Sequence, residues 1–173
     1  MPTLVIGNKR HSSWSLRPWL LMRTFGIPFE EVLIPFGPTM DDPAWKARVA
    51  EFSPAGKVPV LVDGEVVVWD SLAIIDHVAD TNPDIWTAAR TRFGQGGPFL
   101  FGAFTAADAM YAPVVTRFET YSIPVDPLCR AYMDAIMSLP AFREWRESAW
   151  AEPWLVPEDE VDEEPIQVFG QGM

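Results

Sequence analysis

Lys57-Val58-Pro59-Val60-Leu61-Val62-Asp63-Gly64-Glu65-Val66-Val67-Val68-Trp69-Asp70-Ser71 decides the fold. Two β-branched runs, Val58–Val62 and Glu65–Trp69, flank Asp63-Gly64, the strongest short hairpin signal, so they pair as antiparallel neighbours. Asp70-Ser71 then opens a helix to about Asp80, because short polar side chains there cap free backbone N–H groups. Upstream, Thr3–Gly7 has the length and apolar content of a buried strand. The polar loop His11-Ser12-Ser13-Trp14-Ser15 leads into Leu16–Phe25, apolar at helical spacing and stopped by Gly26. Pro18 is tolerated only near a helix start, which points to Ser15 as the N-cap. Phe29–Ile34 is a second strand. Asp42-Pro43, an N-cap carboxylate followed by proline at the first helical position, starts a helix over Ala44–Phe52.

The order is strand–helix–strand, helix, then two hairpin strands and a helix. A βαβ unit makes the first two strands parallel, and the hairpin makes the last two antiparallel. One mixed four-stranded sheet with helices on its faces satisfies both; this is the α/β thioredoxin plan. After Asn82-Pro83 the strand signals end. Trp86–Phe93 has room for two helical turns before Gly94-Gln95-Gly96-Gly97-Pro98 breaks the chain. Thr105-Ala106-Ala107-Asp108 has capping-box spacing and opens a helix to about Tyr121, with Pro113 inside it. Asp126-Pro127 starts Leu128–Ser138, and Pro140 opens a last helix to about Trp150. Met110, Tyr111, Phe118 and Tyr121 fall at helical spacing, a pattern expected in a core, with one or two open to a substrate cleft. The chain thus divides into an α/β half (1–80), an all-helical half (87–154) and an acidic tail (155–173).

Composition excludes several functions. The chain has 173 residues, 49 % of them apolar, with 13 Lys and Arg against 24 Asp and Glu. So acidic a protein has no electrostatic footprint for nucleic acid or an anionic membrane. Six of the acids lie in Glu158–Glu164, a run expected to be solvated. The single cysteine, Cys129, excludes a disulfide framework and a Cys₂ or Cys₄ zinc site, and His11 and His77 lack a ligand cluster. No cysteine stands at the first helix N-terminus, so dithiol redox chemistry is not expected. The first eleven residues are too short in apolar length for a signal peptide, so a soluble, cytoplasmic protein is expected.

A thioredoxin-like half joined to a helical half resembles the cytosolic glutathione transferases. Lys57-Val58-Pro59-Val60-Leu61 followed by Asp70-Ser71-Leu72-Ala73-Ile74 is similar to the family's glutathione-binding core. Phe99-Leu100-Phe101-Gly102 with Thr105–Asp108 is similar to its helical-domain signature. Asn8–Pro18 resembles the serine-type members, in particular bacterial ones near the zeta-like group. The family usually places two long helices between these halves, and about fifty to sixty residues of that helical domain are missing by length here. Those helices normally wall the electrophile pocket and supply dimer contacts.

The resemblance implies glutathione as co-substrate, no metal, a small electrophile as partner and a possible homodimer. From the residues alone, Ser12, Ser13 and Ser15 compete to cap the first helix. The resemblance makes Ser12 the thiol-activating residue, with Ser13 its rival because the loop register can slip by one, and Trp14 a wall of the site. It implies a cis Val58-Pro59 bond that turns the Val58 backbone toward glutathione, with Lys57 beside the glycyl carboxylate. Ser71 would take the γ-glutamyl carboxylate and Asp70 its ammonium, where the family more often has Glu or Gln. Two functions follow: a glutathione transferase acting on a small electrophile or by glutathione-dependent isomerisation, or a non-catalytic binding module that lost its second-substrate pocket.

Overall fold

The computed structural model describes residues 1–39, 42–82, 96–154 and 156. The turns expected at Trp86–Phe93 and the acidic run Glu158–Glu164 lie outside these residues. In chain order the elements are β1 (Thr3–Ile6), α1 (Ser13–Thr24), β2 (Glu30–Leu33), α2 (Pro43–Ala50), β3 (Val60–Asp63), β4 (Val66–Trp69) and α3 (Ser71–Thr81). Three further helices follow, α4 (Ala106–Thr120), α5 (Pro127–Ser138) and α6 (Pro140–Ala151).

The sheet order is β2-β1-β3-β4. β1 pairs with β2 in parallel and with β3 antiparallel, and β3 pairs antiparallel with β4. Both pairing directions follow from the strand–helix–strand and hairpin patterns. Asp63 pairs with Val66, so the two turn residues are Gly64 and Glu65, one position later than the Asp63-Gly64 signal implies. Gly64 has φ of 62°, a conformation glycine adopts without the Cβ penalty.

Alternation along the strands divides the core. Leu4, Ile6 and Leu61 face α1 and α3, whereas Val5 and Val60 pack with Trp45 and Val49 of α2. Helix α1 is covered on several sides, since α3, α4 and α6 all pack against it. Leu16, Trp19, Leu20, Leu21 and Met22 are accordingly all buried. A helix apolar most of the way round has to sit inside the protein, and this one joins the two halves.

One expectation is corrected here. The N-cap of α1 is Ser12, not Ser15, so Pro18 lies beyond the first turn. The cause is Asn8, whose carbonyl accepts from His11 N (3.2 Å) and Ser12 N (2.7 Å) and turns the chain early. In α4, Met110 and Phe118 pack against the core as expected, and Tyr111 and Tyr121 are the two left exposed. The buried face is Ala106, Ala109, Ala112 and Val115. Small side chains there let α4 approach an α1 that already carries Trp19 and Leu20. The capping box forms as expected, and α4 runs on through Pro113.

Candidate functional site

Strand register brings the candidate residues together. Val5 of β1 pairs with Val60 of β3, and Val60 pairs with Trp69 of β4. The loop after β1, the residues before β3 and the residues after β4 therefore emerge at one end of the sheet. These segments carry Ser12, Val58-Pro59 and Asp70-Ser71. Three stretches separated in sequence meet because two of the strand pairs are antiparallel.

Ser12 is 3 % exposed and sits at the N-terminus of α1. Its Oγ accepts from Ser15 N at 3.3 Å and shares a 2.7 Å hydroxyl–hydroxyl bond with Ser15 Oγ. Ser15 Oγ in turn accepts from Gly7 N at 3.2 Å. The three serines thus have separate tasks: Ser12 caps, Ser15 ties the cap to the end of β1, and Ser13 stands half-buried in the first turn. Trp14 is exposed, with the Arg17 guanidinium 4.0 Å above its ring.

Val58-Pro59 is a cis peptide bond. Pro59 is buried and Val58 half-buried, while Lys57 is exposed. Val58 lies outside the β1–β3 ladder, which begins at Val60. Asp70 takes φ of 80°, a left-handed conformation rare outside glycine, and its Oδ1 accepts from Leu72 N (2.9 Å) and Ala73 N (3.3 Å). This strained turn is the kind of backbone that folds keep at functional positions. Ser71 is 1 % exposed, and its Oγ is buried without a hydrogen-bond partner. An orphaned hydroxyl costs stability, so a ligand group that satisfies it gains affinity. A shallow depression of about 490 Å³ lined by Asp70, Leu72, Ala73 and Asp76 adjoins it.

Sequence reasoning missed Arg17. Its Nε and Nη1 are buried without partners. Burial holds its pKa below the ordinary arginine value, the Arg117 charge pushes it the same way, and Asp70 opposes them. Arg17 thus lies within electrostatic reach of Asp70, the residue before Ser71. The available signal was a lone cation inside the apolar stretch Leu16–Met22.

In the second half, Asp108 is fully buried at the start of α4. Its Oδ2 accepts from Thr105 N (2.8 Å) and Thr105 Oγ1 (2.9 Å), and its Oδ1 from Leu100 N (3.0 Å). One carboxylate thus ties the Phe99–Gly102 turn to the helix. Burial, and then this carboxylate, push the nearby Tyr132 hydroxyl well above its ordinary pKa. No group of three or more His, Cys, Asp or Glu side chains could hold a metal ion among the described residues. No described helix is long and apolar enough to cross a membrane.

Comparison with known proteins agrees with this architecture. Residues 11–81 match the glutathione S-transferase N-terminal domain, and residues 73–148 match the glutathione S-transferase C-terminal domain. The chain belongs to the glutathione S-transferase family. It is 30 % identical over 117 residues to the dichloromethane dehalogenase of Methylorubrum extorquens (strain DSM 6343 / CIP 106787 / DM4). That match covers 55 % of this chain and 40 % of the relative's length. A glutathione transferase homolog from Burkholderia gl BGR1, with bound glutathione, has the same fold at a TM-score of 0.63 and 15 % identity, covering 87 % of this chain and 98 % of that one. A glutathione S-transferase from the Antarctic clam Laternula elliptica gives 0.64 at 17 % identity, covering 83 % and 91 %.

Proposed function

We propose that the chain binds glutathione across this end of the sheet and holds its sulfur as thiolate for attack on a small electrophile or for a glutathione-dependent isomerisation. The supporting observation is the meeting of the Ser12 cap, the cis Val58-Pro59 turn and the unpartnered Ser71 hydroxyl. A hydroxyl pair can carry its proton in either direction. With Ser15 donating, Ser12 Oγ accepts from both Ser15 Oγ and Ser15 N, and its own proton is free for the sulfur. The chain Gly7 N–H to Ser15 to Ser12 then polarises toward the thiolate. The α1 N-terminus adds a favourable dipole.

The Val58 N–H and C=O pair with the peptide backbone of glutathione as an added strand. Ser71 Oγ and the first N–H groups of α3 take the γ-glutamyl carboxylate, with Arg17 close by. The Asp70 carboxylate takes the ammonium, and Lys57 meets the glycyl carboxylate. Trp14, backed by Arg17, walls the sulfur. Replacing Ser71 by Ala is expected to weaken glutathione binding about ten- to a hundredfold, because a hydrogen bond to a charged group contributes roughly 1.5–3 kcal/mol. Calorimetry on that variant checks this; unchanged affinity removes Ser71 from the site.

A second reading, a binding module without catalysis, draws on apolar side chains left open around the site. Trp69 and Leu72, which flank Asp70-Ser71, are each about half exposed. Calorimetric titration with reduced glutathione near pH 7, in two buffers of different ionisation enthalpy, separates the two. Saturable binding with proton release supports the transferase; no heat up to millimolar glutathione from a folded chain overturns it and leaves the module.

A further inference from the structure

The loop that carries Ser12 is held from the far end of the chain. Glu152 follows α6 and is 8 % exposed. Its Oε1 accepts from Lys9 N at 2.6 Å and its Oε2 from Arg10 N at 3.0 Å. Trp145 Nε1 donates to Lys9 O at 3.0 Å. The Lys9 side chain is then fixed as well: its Nζ lies 2.8 Å from Glu31 Oε1 and 4.9 Å from the Trp19 ring centroid. The peptide groups at Lys9 and Arg10, inside the Asn8–Ser12 turn, are thus bonded to residues of the helical half.

We propose that Glu152, together with Trp145, is a positioning residue for the thiol-activating hydroxyl: the carboxylate fork fixes the Gly7–Ser12 loop and so sets where Ser12 stands relative to the sulfur. The inference rests on the glutathione reading. Neither Glu152 nor Trp145 touches the tripeptide's anchoring points at Val58, Asp70 and Ser71. A carboxylate fits this fork because each N–H meets its own oxygen, Oε1 for Lys9 and Oε2 for Arg10. An amide offers one acceptor and one donor, so one N–H is left facing another donor. Reacting groups lose about 100-fold when misplaced by about 1 Å, which makes a partial release of this loop visible in the chemistry before it is visible in binding.

The test uses the full chain as Glu152→Gln and, as a milder variant that removes the indole N–H but stays aromatic, Trp145→Phe. Three readouts are taken: hydrogen exchange of the Lys9 and Arg10 amides, glutathione affinity by calorimetry, and ultraviolet thiolate absorbance of the complex against pH. The expected result for Glu152→Gln is faster exchange at both amides and glutathione affinity within about twofold of the parent. The bound thiol titrates higher, so that the thiolate fraction near pH 7 falls about tenfold and recovers when the pH is raised. Trp145→Phe shows the same changes, smaller. The inference is overturned if both folded variants keep the parent's titration, or if affinity and thiolate fall together, as general damage to the fold would cause. If the parent chain itself forms no thiolate with glutathione, the glutathione reading fails first and this inference with it.

Discussion

Asp108→Ala is expected to destabilise the folded chain by roughly 3–5 kcal/mol, a large part of the 5–15 kcal/mol typical of a whole domain. The substitution removes the acceptor of two buried bonds, from Thr105 N and Thr105 Oγ1, and of a part-buried one from Leu100 N. Each donor left unsatisfied in the interior costs about 1–3 kcal/mol, and the two from Thr105 are the ones shut away from water. The loss falls on the Phe99–Gly102 turn and the first turn of α4 together. Asp108→Asn keeps one acceptor oxygen but aims an NH₂ group at a donor, so about half of the loss is expected. Urea unfolding followed by tryptophan fluorescence reads the shift in midpoint. A loss below about 1 kcal/mol for the alanine variant would show that the buried carboxylate's own desolvation had cancelled its three bonds.

The Thr105–Asp108 motif also shows how far the sequence can be read. Capping by Asp108 was legible from spacing alone, because the box is a local bond between neighbours. Its bond to Leu100 was not, since a turn of Phe-Leu-Phe-Gly can fold back in several ways. The same division runs through the sheet. Strand identities follow from short apolar runs, and pairing directions from the strand–helix–strand order and one Asp-Gly, while the turn itself lands a residue later, where Gly64 can take positive φ. Among Ser12, Ser13 and Ser15, each a competent cap, the choice depended on Asn8 and Gly7 and so on the end of β1. Arg17 and the Glu152 fork were the least visible. The fork joins positions 143 apart, and no local pattern marks a carboxylate that will meet two loop amides.

Replacing Ser12 by Ala is expected to lower turnover with glutathione near pH 7 by about ten- to thirtyfold. The argument begins from the free thiol, whose pKa of about 8.5 leaves only a few per cent as thiolate at neutral pH. A hydrogen bond donated to the anion contributes roughly 1.5–3 kcal/mol, which is about one to two pKa units at 1.36 kcal/mol each. Without the Ser12 hydroxyl the bound thiol titrates higher by that amount, and the thiolate fraction falls accordingly. The sign fixes the pH dependence. The deficit is full below the parent complex's pKa, shrinks as pH rises through the variant's raised pKa, and is nearly gone above it. Glutathione affinity is expected to change little, since the proposed anchors for the rest of the tripeptide, Val58, Asp70 and Ser71, are untouched. Ser15→Ala is expected to show a smaller version of the same profile, because Ser15 acts on the sulfur only through Ser12. Ser13→Ala separates the two neighbouring hydroxyls: a pH-dependent loss there, with Ser12→Ala unaffected, would move the role by one residue. A loss equal at every pH would instead show that Ser12 serves the α1 cap and does not ionise the thiol.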